Sequence, residues 1–307
     1  MEITVVGAGA LGGYFGGRLA TAGHDVTLVA RGAHLEALQS GGLRVESALG
    51  DMHLPKIRAV ATPAEAGRAD AVFLMVKNRD LEAAAEASLP LMGPSTVAMT
   101  VQNGVSAPTR AAAILGAERV IGAAVYMPAD IKAPGVIRHA SRFHRVQIGT
   151  GPGGPAEACA ALAGAMGEAG LEVRHVSDID ALLWEKFVLL APFSAITALT
   201  RLDMGPIRRC PPSWALMRAA VEEAAAVGHA ECPTLAPDIA ARQIAFMGGD
   251  MPEGAHASMQ DDLVRGKPLE LDWLSGEIVR LGARHGIPTP VHAMARAALA
   301  PFADGAP

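Results

Sequence analysis

Three glycines within six residues, Gly7, Gly9 and Gly12, are the first place in this chain where residue type and spacing imply chemistry. They stand in Gly7-Ala8-Gly9-Ala10-Leu11-Gly12, immediately after the β-branched run Glu2-Ile3-Thr4-Val5-Val6. In a strand–turn–helix setting, Gly7 permits the tight turn and Gly9 lets a pyrophosphate approach bare backbone. Gly12 lets the following helix press against the strand. That helix, predicted over residues 11–22, points its free N–H groups and the positive end of its dipole at the phosphates. Gly7, Ala8, Gly9, Ala10, Leu11 and Gly12 therefore form the expected contact loop of a dinucleotide.

The second strand, Asp25-Val26-Thr27-Leu28-Val29, ends in Ala30-Arg31, with no carboxylate before Glu36. NAD sites place Asp or Glu at that strand end to bond the ribose 2′-hydroxyl. A guanidinium at Arg31 pairs instead with a 2′-phosphate, which favours NADP(H). The bland alternative is a solvated loop arginine.

Reducing a carbonyl requires a proton donor and a polarising group beside the hydride source. No Tyr-x-x-x-Lys pattern exists, the only tyrosines being Tyr14 and Tyr126, which argues against short-chain dehydrogenase chemistry. Lys186 follows Leu182-Leu183-Trp184-Glu185 and precedes the most apolar stretch of the chain, residues 187–199. Partial desolvation there would lower its pKa, although a lysine snorkelling at a helix end reads the same way. Glu270, near the start of a predicted helix over residues 268–285, is a second candidate, against a dipole-placed surface carboxylate. Lys77 and Asn103-Gly104 fall at the carboxyl ends of predicted strands, where open α/β sheets bind ligands. A plain Asn-Gly turn is the alternative for the latter.

Strands and helices alternate through the first half: strands at residues 2–6, 25–29, 69–76, 95–101 and 120–126, with helices between them. Residues 43–47 and 52–60 read as two further strands. Residues 171–176 read as an edge strand. Alternation of this kind implies a doubly wound, mostly parallel sheet. From Ser177-Asp178 onward the pattern is helical, with Pro192 expected to kink or break the long helix over residues 179–200. The fold class is thus α/β: an N-terminal Rossmann-type domain over residues 1–177 and a C-terminal all-α domain over residues 178–307.

The 307 residues suffice for two cores. Half of them are hydrophobic and 19% charged, the balance of a packed enzyme. A net charge of −5 with no Lys/Arg cluster gives no sign of a nucleic-acid partner. The three cysteines, Cys159, Cys210 and Cys232, have no metal-ligand or disulfide spacing, so no metal site is expected and a reducing cytoplasm fits. The apolar stretch over residues 187–199 is too short to span a bilayer and reads as a core helix, with no membrane partner. The apolar helical half is compatible with a homodimer.

The glycine motif extended as GAGALGGYFGGRLA resembles the ketopantoate reductase (2-dehydropantoate 2-reductase) family. So do VTLVAR, the Val76-Lys77 pair, Gln102-Asn103-Gly104, LLWEKF at 182–187, ALTRL at 198–202 and the segment at 257–290. The resemblance runs in the same order along nearly the whole chain. It implies NADPH-dependent reduction of a small 2-oxo acid, ketopantoate to (R)-pantoate in pantothenate and coenzyme A biosynthesis. It further implies Lys186 as proton donor with Glu270 as its partner, Asn103 near the nicotinamide and substrate, Lys77 at the cofactor, Arg31 at the 2′-phosphate, and Ser258 at the substrate carboxylate. The family commonly has asparagines at positions that here carry Leu190, Ser194, Met204 and Ser275. Ser194 keeps a hydroxyl for substrate, but a leucine cannot replace two donors and an acceptor. A less hydroxylated 2-oxo acid or ketone is therefore the alternative substrate. A cofactor-binding regulator without catalysis is the alternative from another class.

Overall fold

The computed structural model describes residues 1–306 and divides the chain into two compact units. One comprises residues 1–102 and 106–179, the other residues 103–105 and 180–307. The short piece at 103–105 leaves the sheet unit and counts with the helices, which local pattern does not reveal.

The first unit contains twelve strands: β1 (Glu2–Val6), β2 (Asp25–Val29), β3 (Leu43–Ser47), β4 (Met52–Leu54), β5 (Arg58–Val60), β6 (Ala69–Leu74), β7 (Met92–Thr100), β8 (Val120–Tyr126), β9 (Asp130–Ala133), β10 (Val136–His139), β11 (Arg145–Gly149) and β12 (Glu172–His175). Its helices are α1 (Ala10–Thr21), α2 (Gly32–Gly41), α3 (Leu81–Ala87), α4 (Ala107–Leu115) and α5 (Ala156–Glu168). Eight strands form one sheet in the order β12-β11-β8-β7-β6-β1-β2-β5, parallel except for the β8–β11 pair. The period-2 geometry of a strand explains the two cores on its faces. Ile3, Val5, Phe73 and Met99 pack in one core with α1 and α5. Their neighbours Val6, Val72, Leu74 and Ala98 pack in the other with α3 and α4.

Residues 52–60, expected as one strand, divide between two sheets. Met52–Leu54 forms a hairpin with β3, whereas Arg58–Val60 crosses to pair with β2. Pro55 stands between the two pieces and cannot donate to a ladder. The smaller sheet, β4-β3-β10-β9, covers α1, and Ile137 approaches Gly13 closely enough that a Cβ there would meet its side chain at 2.8 Å.

The second unit holds α6 (Ile179–Thr200), α7 (Met204–Arg209), α8 (Pro211–Glu231), α9 (Ile239–Ala245), α10 (Ser258–Val264), α11 (Ser275–His285) and α12 (Pro290–Leu299). Helix α6 runs unbroken through Pro192 rather than ending there. Proline costs a helix one backbone hydrogen bond and some crowding, and burial of Phe187, Val188, Ala191, Ala195 and Ile196 on both sides of it outweighs that cost. By length and composition α6 could cross a membrane, yet its apolar side chains form the centre of the helical unit. The expected helix over 268–285 is two pieces, a 3-10 turn Leu271–Trp273 and then α11, separated at Leu274. Glu270 consequently precedes a single turn instead of opening a long helix.

Candidate active site

Backbone hydrogen bonds anchor the glycine loop at the end of β2: the Gly7 and Ala8 N–H groups both donate to the Val29 carbonyl. Gly7 has φ +98°, which L side chains rarely adopt. A Cβ on Gly12 would lie 2.2 Å from the Gly7 carbonyl oxygen, so only glycine lets α1 begin there. Around Gly9, by contrast, a Cβ would meet nothing within 4 Å. Helix α1 starts with no side-chain cap and no acidic residue in its first turn, leaving its N–H donors for an anion. Arg31 is exposed and occupies the N-cap of α2, also without a side-chain cap or an acidic neighbour in the first turn. The loop and Arg31 thus fit a dinucleotide: an open approach at Gly9, unclaimed donors behind it and a cation at the end of β2.

Lys77 is exposed, three residues past β6, and begins a 3-10 turn. The backbone leading to it is held by Gln102, whose side-chain amide donates to the Leu74 and Val76 carbonyls at 2.7 and 2.9 Å. The turn after it is held by Arg110, which donates to the Asn78 carbonyl at 2.7 Å and pairs with Glu82. Gln102 and Arg110 are positioning groups that pattern reading passed over. A buried glutamine directly after an apolar strand was the available signal.

In the helical unit, Lys186 lies on α6, and its Nζ donates to Asn103 Oδ1 at 3.1 Å. Gly104, at φ +103°, lets this turn sit against the turn that follows Glu270; a Cβ there would come within 3.0 Å of the Trp273 carbonyl oxygen. Burial lowers the Lys186 pKa to about 8, opposed by the Glu270 carboxylate, which favours the ammonium form. The structure therefore gathers Asn103, Lys186 and the turn bearing Glu270, residues far apart in sequence. A lysine poised near neutrality, oriented by an amide oxygen and coupled to a carboxylate, is equipped to deliver a proton.

The remaining assigned residues differ in setting. Leu190, one turn beyond Lys186 on α6, is partly buried against the apolar core. Ser194, two turns beyond, is almost fully buried. Ser258 is exposed at the start of α10. Met204 is fully buried. The Ser275 side chain is taken up by His292, whose Nδ1 lies 3.2 Å from the serine oxygen and whose Nε2 lies 3.1 Å from the Ala220 carbonyl. A carbonyl only accepts, so Nε2 carries the proton and Nδ1 accepts from the serine hydroxyl. Among the described residues no cluster of His, Cys, Asp or Glu could hold a metal ion.

Comparison with known proteins shows the family. Residues 3–153 match the model of the family described as ketopantoate reductase PanE/ApbA, and residues 178–302 match that of its C-terminal domain. The chain is 37% identical over 312 residues to a 2-dehydropantoate 2-reductase of Mesorhizobium japonicum, covering 94% of each. It is 33% identical to one of Caulobacter vibrioides, covering 97% of this chain and 98% of that one. A solved PanE/ApbA family ketopantoate reductase from Ralstonia eutropha JMP134 superposes with a TM-score of 0.89 at 34% identity, covering 99% of this chain and 98% of its own. The chain belongs to the ketopantoate reductase family.

Proposed function

We propose that this protein reduces 2-dehydropantoate to (R)-pantoate with NADPH, the step that supplies pantoate for pantothenate and coenzyme A synthesis. The observation that carries the chemistry is the Lys186–Asn103 hydrogen bond beside the turn of Glu270. Bound NADPH supplies the hydride to the ketone carbon. Lys186 transfers a proton from Nζ to the ketone oxygen, so that the carbonyl becomes a secondary alcohol. Asn103 fixes the direction of Nζ, and Glu270 keeps the lysine protonated despite its burial. Lys77 contributes to the cofactor side, while Ser194 and Ser258 contribute to the substrate side. Arg31, just past the end of β2 where no carboxylate stands, supports the preference for NADPH.

Leu190 favours a second reading. Its apolar side chain follows Lys186 by one turn of α6, which suits a 2-oxo acid carrying fewer hydroxyls than ketopantoate. The deciding experiment is NADPH oxidation with ketopantoate beside pyruvate, 2-oxobutyrate and 2-oxoisovalerate, repeated with NADH. The highest kcat/KM for ketopantoate with NADPH is the expected result. A higher value for 2-oxoisovalerate would retain the reaction and replace the substrate.

A further inference from the structure

The segment that leads into Ser258 is tied down by a side chain that the reaction above does not use. His256 stands two residues before Ser258, between α7 and α10. Its Nδ1 lies 2.9 Å from an Asp203 carboxylate oxygen, and its Nε2 lies 3.3 Å from one of Asp261. Both carboxylates accept, so the ring braces them through its N–H groups. Asp203 occupies the N-cap of α7, where an aspartate ordinarily caps its own helix, yet it makes no such bond. The chain before His256 does that instead, for the Ala255 and Glu253 carbonyls accept from the Met204 and Gly205 N–H groups. The Asp203 carboxylate is thereby left for His256. Asp261 lies in the first turn of α10, three residues after Ser258. His256 thus joins the start of α7 to the turn that Ser258 opens.

The same turn is also tied to α6, the helix of Lys186 and Ser194. The Ala257 N–H donates to Thr197 Oγ1 at 3.5 Å. With its amide turned to suit its neighbours, Gln260 donates to the Thr197 and Leu202 carbonyls at 3.1 and 3.3 Å. Thr197 follows Ser194 by three residues, so these bonds bring the start of α10 to the part of α6 that carries Ser194. Helix α10 begins without a side-chain cap, and the Ser258 hydroxyl is not spent on its own helix. We propose that His256 is a positioning residue for recognition of the substrate carboxylate, fixing the direction of the Ser258 hydroxyl by holding Asp203 and Asp261 together. This rests on the reading of Ser258 as a substrate contact. Ala257 and Gln260, both buried, hold the inner side of the turn, and His256, partly exposed, holds its outer side. Without the outer brace the turn can tilt about its α6 contacts. An exposed ion pair adds little to stability, whereas a shift of about 1 Å in a group that positions substrate has a large effect on function.

The test is steady-state kinetics of the full-length protein at saturating NADPH, with ketopantoate and with 2-oxoisovalerate. Wild type, His256→Ala, Ser258→Ala and the double variant form one cycle. His256→Ala should raise KM about three- to tenfold, the size of one weakened hydrogen bond. The factor should be the same for both acids, because both carry the carboxylate, and kcat should stay within about twofold. Ser258→Ala should raise KM by itself. In that background His256→Ala should add nothing, since the group it positions is gone. An unchanged KM in His256→Ala, or KM increases that multiply in the double variant, would overturn the proposal. His256→Gln, which keeps an N–H donor at similar reach, goes through the same cycle should the alanine variant not fold, and is judged by the same outcomes. Wild-type KM in Ser258→Ala would defeat the reading of Ser258 and the proposal with it. A KM increase in Ser258→Ala beside none in the His256 variants would defeat only the role of His256.

Discussion

The ammonium of Lys186 and the side-chain oxygen of Asn103 meet at 3.1 Å, although 83 residues separate them in the chain. Asn103 lies three residues past the end of β7 and Lys186 on the core helix α6, so neither element alone can orient the ammonium. The bond gives Nζ a defined direction while leaving it further protons to donate.

Removing the lysine tests its role directly. Lys186→Ala should lower kcat by at least 10²–10⁴-fold, the usual contribution of a positioned acid. NADPH affinity, read by fluorescence, should remain nearly unchanged. A variant with wild-type kcat would take Lys186 out of the reaction.

The pH profile follows from the lysine pKa of about 8. The acid must be protonated to act, so kcat/KM for ketone reduction should be level below about pH 8. Above that it should fall about tenfold per pH unit. Glu270→Gln removes the charge that raises this pKa, and the break should therefore move to lower pH. A break that stays in place would show that the carboxylate does not influence the lysine.

The cofactor loop predicts two different outcomes for the same substitution. Gly12→Ala puts a Cβ 2.2 Å from the Gly7 carbonyl oxygen, so the fold itself should suffer and Tm should fall. Gly9→Ala meets nothing within 4 Å, so Tm should hold while NADPH binding weakens, because the methyl occupies the pyrophosphate's approach. Equal melting of both variants would contradict this division.

At the 2′-phosphate, Arg31→Ala should weaken NADPH about 10–100-fold, the range of a charge-assisted pair, and leave NADH nearly unaffected. Parallel titrations with the two cofactors check it. Equal loss for both would mean that Arg31 does not read the phosphate.

Acid stability should depend on His292, whose pKa burial holds at about 4 against an ordinary 6.5. The unfolded chain takes up this proton below about pH 6.5, the folded chain only below about 4. Stability should therefore fall as pH drops through that window, by roughly 3 kcal/mol in all. Urea midpoints between pH 7 and 4 measure this, and His292→Leu should flatten its share of the slope. An identical slope in the variant would remove His292 as the cause.

Much of the first unit was legible from local pattern. A β-branched run, three glycines at fixed spacing and the residue at the end of β2 announce a nucleotide site, because backbone geometry at a tight turn restricts residue type. The division of residues 52–60 between two sheets was not legible, since strand propensity does not encode which partner a strand chooses. Nor was the break at Leu274, because the amphipathic pattern continues across it.

Sequence alone determined the residue types on which the proposed chemistry rests: a glycine loop between strand and helix, a cation where NAD sites carry a carboxylate, and a lysine entering an apolar helix. Each is a matter of residue type within a few neighbours, where local sterics and charge decide. Only the tertiary structure decided that Asn103 joins the helical unit and bonds Lys186, and that Ser275 is tied to His292. Those outcomes depend on burial and on hydrogen-bond partners brought from distant segments, and desolvation acts on a side chain only once the rest of the chain has closed around it.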